Sequence, residues 1–483
     1  MNPRSPRVIP SLPWMAPLLF LIAGLSVVAS MDRVLGRVLC DFQVNQSEAA
    51  NAEVARLLGR GILPYPDPSA TLSMFSLYPP LFSLLAGLPM RLVSSPFLPG
   101  RLIALAAFLG CAGLLFRWGA ARWGNTPAAL AASLLLLSPT WRAWGSMVRP
   151  DTLALFLSFL AWVLLLGPAG RRDDAWRILG AGALAGAALL AKQTLVTLPL
   201  AFTIHSLVRR EGRRWVLFAG GAALIVLPAT VALEAATDGA YLDLILRGAA
   251  HGFDAGLLGR ALSAWFIPEA GWLFAALTWG LASRRVSGLI AWQAGLSLLW
   301  LTGLGRPGAA ENYMMEFELF GILFLGEALF RPARPVAAGK SRLRVAILFF
   351  LAGLASFLVR PGPAIPSAQE RAVKREALSF YAGEGDHLAV DADLPLMAGK
   401  PLFLPPAEYT LMAEKGLLST EPLKRAVRAR AFRTIEVYAT PRQYLIPEEV
   451  VAEIRRHYHV DRELQGRLWL VPKEGTHGDC PNP

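Results

Sequence analysis

Apolar blocks of roughly 14–20 residues recur along this chain, a length close to the ~20 helical residues that cross a bilayer core about 30 Å thick. Short clusters of Arg, Pro and Gly close off each block. Inside a bilayer the backbone polar groups have no water to bond, so spanning segments of this kind fold as helices. The chain has 483 residues, 54% of them hydrophobic and only 17% charged, which is too little polar surface for a soluble protein of that length. The expected fold class is an α-helical polytopic membrane protein with about 11 transmembrane helices.

The expected spans are 13–31, 101–117, 126–144, 151–167, 177–191, 194–208, 215–233, 261–283, 286–303, 315–330 and 345–359. With the N-terminus in the cytoplasm, the basic clusters fall on one side. They are Arg117 with Arg122, Arg171-Arg172 with Arg177, "RREGRR" from Arg209, Arg284-Arg285, and "RPARPVAAGKSRLR" from Arg331 to Arg344. That is the asymmetry of the positive-inside rule, and it explains the net charge of +12 without nucleic acid. The first block follows Arg4 and Arg7 and has no obvious small-residue cleavage site, so it reads as a retained helix. Residues 178–208 read as two short spans around the turn "AKQT" (Ala191–Thr194), because one continuous helix would put its flanking Arg clusters on opposite sides.

The chain divides into a transmembrane domain, 1–359, and a small α/β domain, 360–483, on the outer side. Within the first, residues 32–100 form a long outer loop. "SEAANAEVARLLGRG" reads there as an amphipathic helix closed by Gly61, and "YPPLFSLLAGLPMRLV" as a second, apolar helix lying along the membrane surface. In the last domain "HLAVDAD", "RTIEVYA" and "GRLWLVP" read as strands. "PAEYTLMAEKGL", "EPLKRAVRARAF" and "PEEVVAEIRRHY" read as helices, the second basic enough to rest on anionic headgroups. Cys111 sits in an apolar run; Cys40 and Cys480 fall outside, where they either pair or stay free.

On the outer side this topology gathers polar groups that interrupt apolar sequence. They are Asp41 and Glu48 in the first loop, Arg101, Arg149 and Asp151, Lys192 and Gln193, then Arg306, Glu311, Asn312, Tyr313 and Glu316. Ionisable groups at membrane depth are expensive and mark sites or pathways. Carboxylates mixed with cations suit a reaction in which a base takes a proton and cations hold a phosphate. Each has a structural alternative: Asp151 as a helix cap, Lys192 and Arg101 as snorkelling cations, Glu48 as part of a solvated face. Their coincidence on one side favours a shared site. His457 and His459 match no metal-ligand spacing, and Asp391 and Asp393 read as the end of a strand rather than metal ligands, so the sequence assigns no metal.

These residues, in this order, resemble the polytopic C-type glycosyltransferases, in the branch of the protein O-mannosyltransferases and the lipid A aminoarabinose transferase. The resemblance rests on "SEAANAEVARLLGRGILPY", on "YPPLFSLLAG" followed by "GRLIAL", on "RPDTLALFL", and on "AKQT" with "ENYMMEFELF", and covers about residues 10–330. It implies transfer of a sugar from a polyprenyl-phosphate carrier to a glycan, lipid or protein acceptor on the outer side of the cytoplasmic membrane. The family's acidic pair falls on Ser47-Glu48, so Ser47 stands where an Asp is usual and Glu48 inherits the role of base, with Asp41 as a second carboxylate. Arg101, Arg149, Asp151, Lys192, Gln193, Arg306, Asn312, Tyr313 and Glu316 are the implied substrate-binding positions. Some such enzymes use a divalent ion. The rival class is a transporter or lipid-linked-sugar flippase, which would carry internal repeats and mid-bilayer helix breaks. No repeat is visible, and the polar groups cluster at one face.

Overall fold

A computed structural model describes residues 15–167, 174–249, 252–282, 286, 288–330, 339–359, 364–439 and 446–473. Cys480 lies outside the described residues, so its pairing with Cys40 is untested. The first helix, α1 (Met15–Val38), runs beyond its expected end. The segment between it and the next long helix holds α2 (Glu48–Gly59) and α3 (Leu81–Met90). Then follow α4 (Leu98–Trp123), α5 (Asn125–Leu137), α6 (Pro139–Trp144), α7 (Asp151–Leu166), α8 (Ala175–Ala191), α9 (Thr197–Arg209), α10 (Gly212–Ala236) and α11 (Ala240–Ala249). A π-helical turn, Leu262–Phe266, joins α12 (Ala255–Ala261) to α13 (Ile267–Ala282), and a 3-10 turn, Leu301–Gly305, extends α14 (Leu289–Trp300). α15 (Asn312–Phe330) and α16 (Gly339–Val359) complete the apolar part.

Among the described residues, Leu98–Trp123, Gly212–Ala236 and Ala255–Ala282 are helices long and apolar enough to cross a membrane, and shorter apolar helices accompany them. The chain is therefore a multi-pass membrane protein, although helix length and composition alone do not yield eleven crossings. Leu224, Leu227 and Val231 on α10 are more than half exposed, a face that suits lipid rather than water. The 178–208 segment forms two helices, with Lys192 at the break. The expected continuous helix over 126–144 does not form. Ser138 precedes Pro139 and is extended (ψ 124°), as a residue before proline tends to be, and its hydroxyl accepts the Trp141 N–H to cap α6.

Close helix contact relies on glycine. A Cβ on Gly182 of α8 would lie 2.0 Å from the Phe218 carbonyl oxygen of α10, and one on Gly87 of α3 would lie 1.9 Å from the Ala55 carbonyl oxygen of α2. Small residues let membrane helices approach backbone to backbone in this way. α2 is also less wet than its sequence suggests: Glu48, Asn51 and Glu53 are all buried. Glu53 accepts a bidentate pair from Arg56 at 2.6 and 2.7 Å. Past Arg60, Gly61 takes φ +83°, and the Ile62 N–H returns to the Leu57 carbonyl, closing the helix as its Gly promised.

The C-terminal region contains α17 (Ala368–Leu378), β1 (Asp386–Ala389), α18 (Asp393–Met397), α19 (Pro406–Glu414), α20 (Glu421–Arg428), β2 (Phe432–Tyr438), α21 (Glu448–His457), β3 (Tyr458–Leu464) and β4 (Arg467–Pro472). The sheet order is β1-β2-β4-β3, with β1 parallel to β2 and the other pairs antiparallel. β3 is missing from the sequence expectation because it is an edge strand with mostly exposed polar residues. Gln465 and Gly466, both at positive φ, make the two-residue turn that pairs it with β4. Two of the three cations on the basic helix α20 are held in ion pairs, and the third, Arg425, is exposed. Arg428 pairs with Glu421 at 2.7 Å and Glu453 at 3.2 Å, and Lys424 pairs with Glu449 at 3.1 Å. One apolar cluster holds Tyr65, Phe75 and Leu77 of the first loop, Tyr241 and Leu244 of α11, and Leu388, Tyr409 and Ile435 of the C-terminal region. The C-terminal region is thereby packed onto the first loop.

Candidate active site

Glu48 opens α2 and is fully buried. Arg101, in the first turn of α4, donates from Nε to Glu48 Oε1 at 2.7 Å and from Nη2 to Oε2 at 2.8 Å. The Val148 N–H reaches Oε1 and the Val44 N–H reaches Oε2, both at 2.8 Å. The remaining Arg101 donors go to the carbonyls of Val38, Cys40 and Phe42. Two buried charges thus satisfy each other and the backbone of two separate segments, 38–44 and Val148, the condition under which a buried pair is tolerated. Asp41, the other carboxylate expected in the base role, is not brought to this place. It is exposed and lies 3.8 Å from Arg375 of α17.

The Glu48 knot fixes its neighbour. The Ser47 hydroxyl accepts from Arg149 Nη1 at 2.8 Å. The Arg149 guanidinium lies 4.9 Å from the Trp144 ring centre and 5.8 Å from that of Tyr78, and its Nε is 3.9 Å from Asp151 Oδ2. Burial works against the Arg149 charge, yet Tyr78 and Asp151 outweigh it and hold the guanidinium above its ordinary range. Pro150 precedes the helix that Asp151 begins, so the chain turns sharply and delivers both charges to one spot. Asp151 Oδ1 accepts from Lys192 Nζ and, at 2.7 Å, from Asn312 Nδ2. Lys192 Nζ also lies 5.7 Å from the Tyr313 ring centre. The Gln193 amide donates to the Leu77 carbonyl at 2.7 Å, tying the segment beside Tyr78 to the α8–α9 break.

Glu316, one turn along α15 from Asn312, accepts on Oε1 from the Thr197 hydroxyl and from Gln293 Nε2, the latter at 2.9 Å. Arg306 stands beside Tyr313, bonding its hydroxyl and acting on it by charge. Asp151, Lys192, Asn312, Tyr313 and Glu316 line one recess with apolar walls from Leu155, Leu195 and Trp300. The structure therefore joins Arg149, Asp151, Lys192, Asn312, Tyr313 and Glu316. It keeps Arg306 and Gln193 beside them, closes Glu48 and Arg101 into their own pair, and leaves Asp41 apart. Sequence reasoning missed Thr197 and Gln293, whose signal was a polar residue within an apolar helix. It also missed Glu269 and Glu318, buried around the Ser138 break, where the Ser138 hydroxyl bonds Glu318 Oε2 at 2.6 Å and the Thr140 N–H bonds Glu269 Oε1 at 2.8 Å. Among the described residues no three His, Cys, Asp or Glu side chains are grouped to hold a metal ion.

Residues 78–236 match the family model for dolichyl-phosphate-mannose-protein mannosyltransferase. No curated protein matches the chain. ArnT from Cupriavidus metallidurans in the apo state has a similar structure, with a TM-score of 0.63 and 15% identity over 92% of this chain and 96% of that one. The same protein bound to undecaprenyl phosphate gives 0.61 at 14% identity, over 95% and 98%. The oligosaccharyltransferase of Archaeoglobus fulgidus tethered with an acceptor peptide gives 0.51 at 11% identity, over 96% of this chain and 74% of that one. The chain has the fold of the polytopic C-type glycosyltransferases, and its residues 78–236 carry the mannosyltransferase match that the sequence motifs suggested.

Proposed function

We propose that this protein is an integral-membrane glycosyltransferase that takes a sugar from a polyprenyl-phosphate donor and passes it to a glycan, lipid or protein acceptor on the outer side of the cytoplasmic membrane. The observation that carries this reading is the set Arg149–Asp151–Lys192–Asn312. Two buried cations and their shared carboxylate stand at the ends of apolar helices, on the side away from the Arg-rich loops. A lipid phosphate enters such a recess from the bilayer without crossing it. The similar ArnT structure bound to undecaprenyl phosphate supports the same donor class here.

The chemistry follows from charge. When the bond between the anomeric carbon and the phosphate oxygen breaks, negative charge grows on the leaving phosphate. Arg149 keeps Nε without a hydrogen-bond partner among the described residues, so it has donor capacity for a phosphate oxygen. Lys192 supplies a second, point-like charge. Asp151, itself held by Asn312, keeps Lys192 in place, and Trp144 and Tyr78 hold the guanidinium plane. Burial strengthens each of these interactions relative to water. In this reading Glu48 works through position, holding Ser47 against Arg149 while Arg101 and two backbone N–H groups occupy its oxygens. The test is donor use by full-length protein in membranes supplied with a panel of undecaprenyl-phosphate sugars. Release of undecaprenyl phosphate with sugar appearing on an acceptor supports the reading. Movement of intact lipid-linked sugar across the membrane without its consumption points to a flippase instead.

A further inference from the structure

The reaction proposed above needs a carboxylate with spare acceptor capacity facing the cations, and each carboxylate already described has at least one oxygen engaged in holding the site together. Glu48 is closed by Arg101 and two N–H groups, Asp151 Oδ1 by Lys192 and Asn312, and Glu316 Oε1 by Thr197 and Gln293. Another carboxylate comes from the C-terminal region. α19 starts on Pro406, which needs no backbone donor in a first turn, and Glu408 follows in that turn. Two contacts pin this helix against segments that lead into the site. Tyr409 is buried in the cluster with Tyr65 and Leu77, next to Tyr78. Leu411 Cδ1 would lie 3.0 Å from a Cβ on Gly308, in the segment that connects Arg306 to Asn312. Glu408 Oε2 is buried and has no hydrogen-bond partner among the described residues. Its charge is among those felt by both Arg149 and Tyr78, after nearer groups such as Asp151. A buried carboxylate oxygen left without a donor is costly, and a substrate hydroxyl would relieve that cost.

We propose that Glu408 is the acceptor-side carboxylate of the site. It receives the hydrogen bond of the attacking acceptor hydroxyl and then its proton. The acceptor oxygen bonds to the anomeric carbon, the bond from that carbon to the phosphate oxygen breaks, and its electron pair leaves with the polyprenyl phosphate held by Arg149 and Lys192. The C-terminal region thereby contributes directly to the chemistry, at the place where Ser47 cannot serve as a base. This inference rests on the transferase reading.

The test uses the full chain with the undecaprenyl-phosphate sugar panel and a membrane glycan and lipid extract as acceptor. Glu408→Gln, nearly isosteric, should lower kcat about 100-fold or more, within the range of positioned acid–base groups. It should flatten the acid limb of kcat/KM, while melting temperature stays unchanged and undecaprenyl phosphate binding stays within about twofold of wild type. Glu408→Asp should keep that limb at an intermediate rate. A Glu408→Gln protein with wild-type rate and pH profile overturns the inference and leaves the transferase reading standing. Loss of undecaprenyl phosphate binding in step with activity also overturns it, because Glu408 would then be a countercharge to Arg149. A wild type that moves no sugar from any donor overturns both.

Discussion

Arg149 is held on several edges and still has capacity to spare. Ser47, the rings of Trp144 and Tyr78, and the more distant Asp151 orient it, and Nε is left for a ligand. A charge-assisted hydrogen bond contributes about 1.5–3 kcal/mol, so Arg149→Ala should weaken undecaprenyl phosphate binding roughly 10- to 100-fold. Arg149→Lys should recover little, because an ammonium neither stacks between two rings nor presents a planar fork. Direct binding measurements on detergent-solubilised protein check both. The Glu48–Arg101 pair predicts a different signature. Glu48→Ala strands a buried guanidinium and should cost about 3–5 kcal/mol of stability, seen as a large drop in melting temperature. The combined Glu48→Leu and Arg101→Met protein should melt higher than Glu48→Ala alone. Much of this site was legible in sequence, since Arg149, Asp151 and Lys192 are ionisable groups set in apolar text. What partners Glu48 was not, because its donors come from residues 44, 101 and 148, which only the fold assembles. Glu408 was invisible for the opposite reason: a glutamate in a polar helix looks like any solvated one.

At the scale of elements, periodicity and Arg clusters located the helices well, including the paired short helices α8 and α9 around Lys192. The interruptions within helices were harder to read. Ser138-Pro139 splits one expected span, and a π turn precedes Pro268 in another, because these breaks depend on where neighbouring helices supply polar partners such as Glu269 and Glu318. The contact between α8 and α10 gives a sharp test. Gly182→Val would drive a side chain into the Phe218 carbonyl and should destabilise the protein by about 1–3 kcal/mol or more. Gly180→Ala on the same helix meets nothing within 4 Å and should leave the melting temperature unchanged or slightly raised. Equal melting temperatures for the two variants would contradict the packing described.

At the scale of the whole molecule, a buried charge cluster within the C-terminal region also reaches the first loop through Gln43, adding a polar contact to the apolar packing. Gln43 donates to Asp391 Oδ1 at 2.6 Å, and Lys374 donates to Asp393 Oδ2 at 2.6 Å. Arg467 bridges Asp391 and Glu436, and the Tyr381 hydroxyl donates to Glu436 at 2.6 Å. Burial, then Asp391, pushes the Glu436 carboxyl from 4.5 up to about 8, and the same causes push Asp393 from 3.8 to about 6. Carboxyls raised on folding stabilise the folded state most below their unfolded values and lose that contribution as pH rises through the folded ones. The C-terminal region should therefore melt progressively earlier between about pH 4 and pH 8, and Glu436→Gln should flatten that slope. The most direct measurement of the central claim is consumption of undecaprenyl-phosphate sugars in membranes holding equal amounts of wild-type and Lys192→Ala protein. Wild type should release undecaprenyl phosphate with sugar transferred to acceptor, and the variant should do so at least tenfold more slowly at limiting donor. Wild-type membranes no more active than membranes lacking the protein, or a Lys192→Ala protein of equal activity, would contradict it.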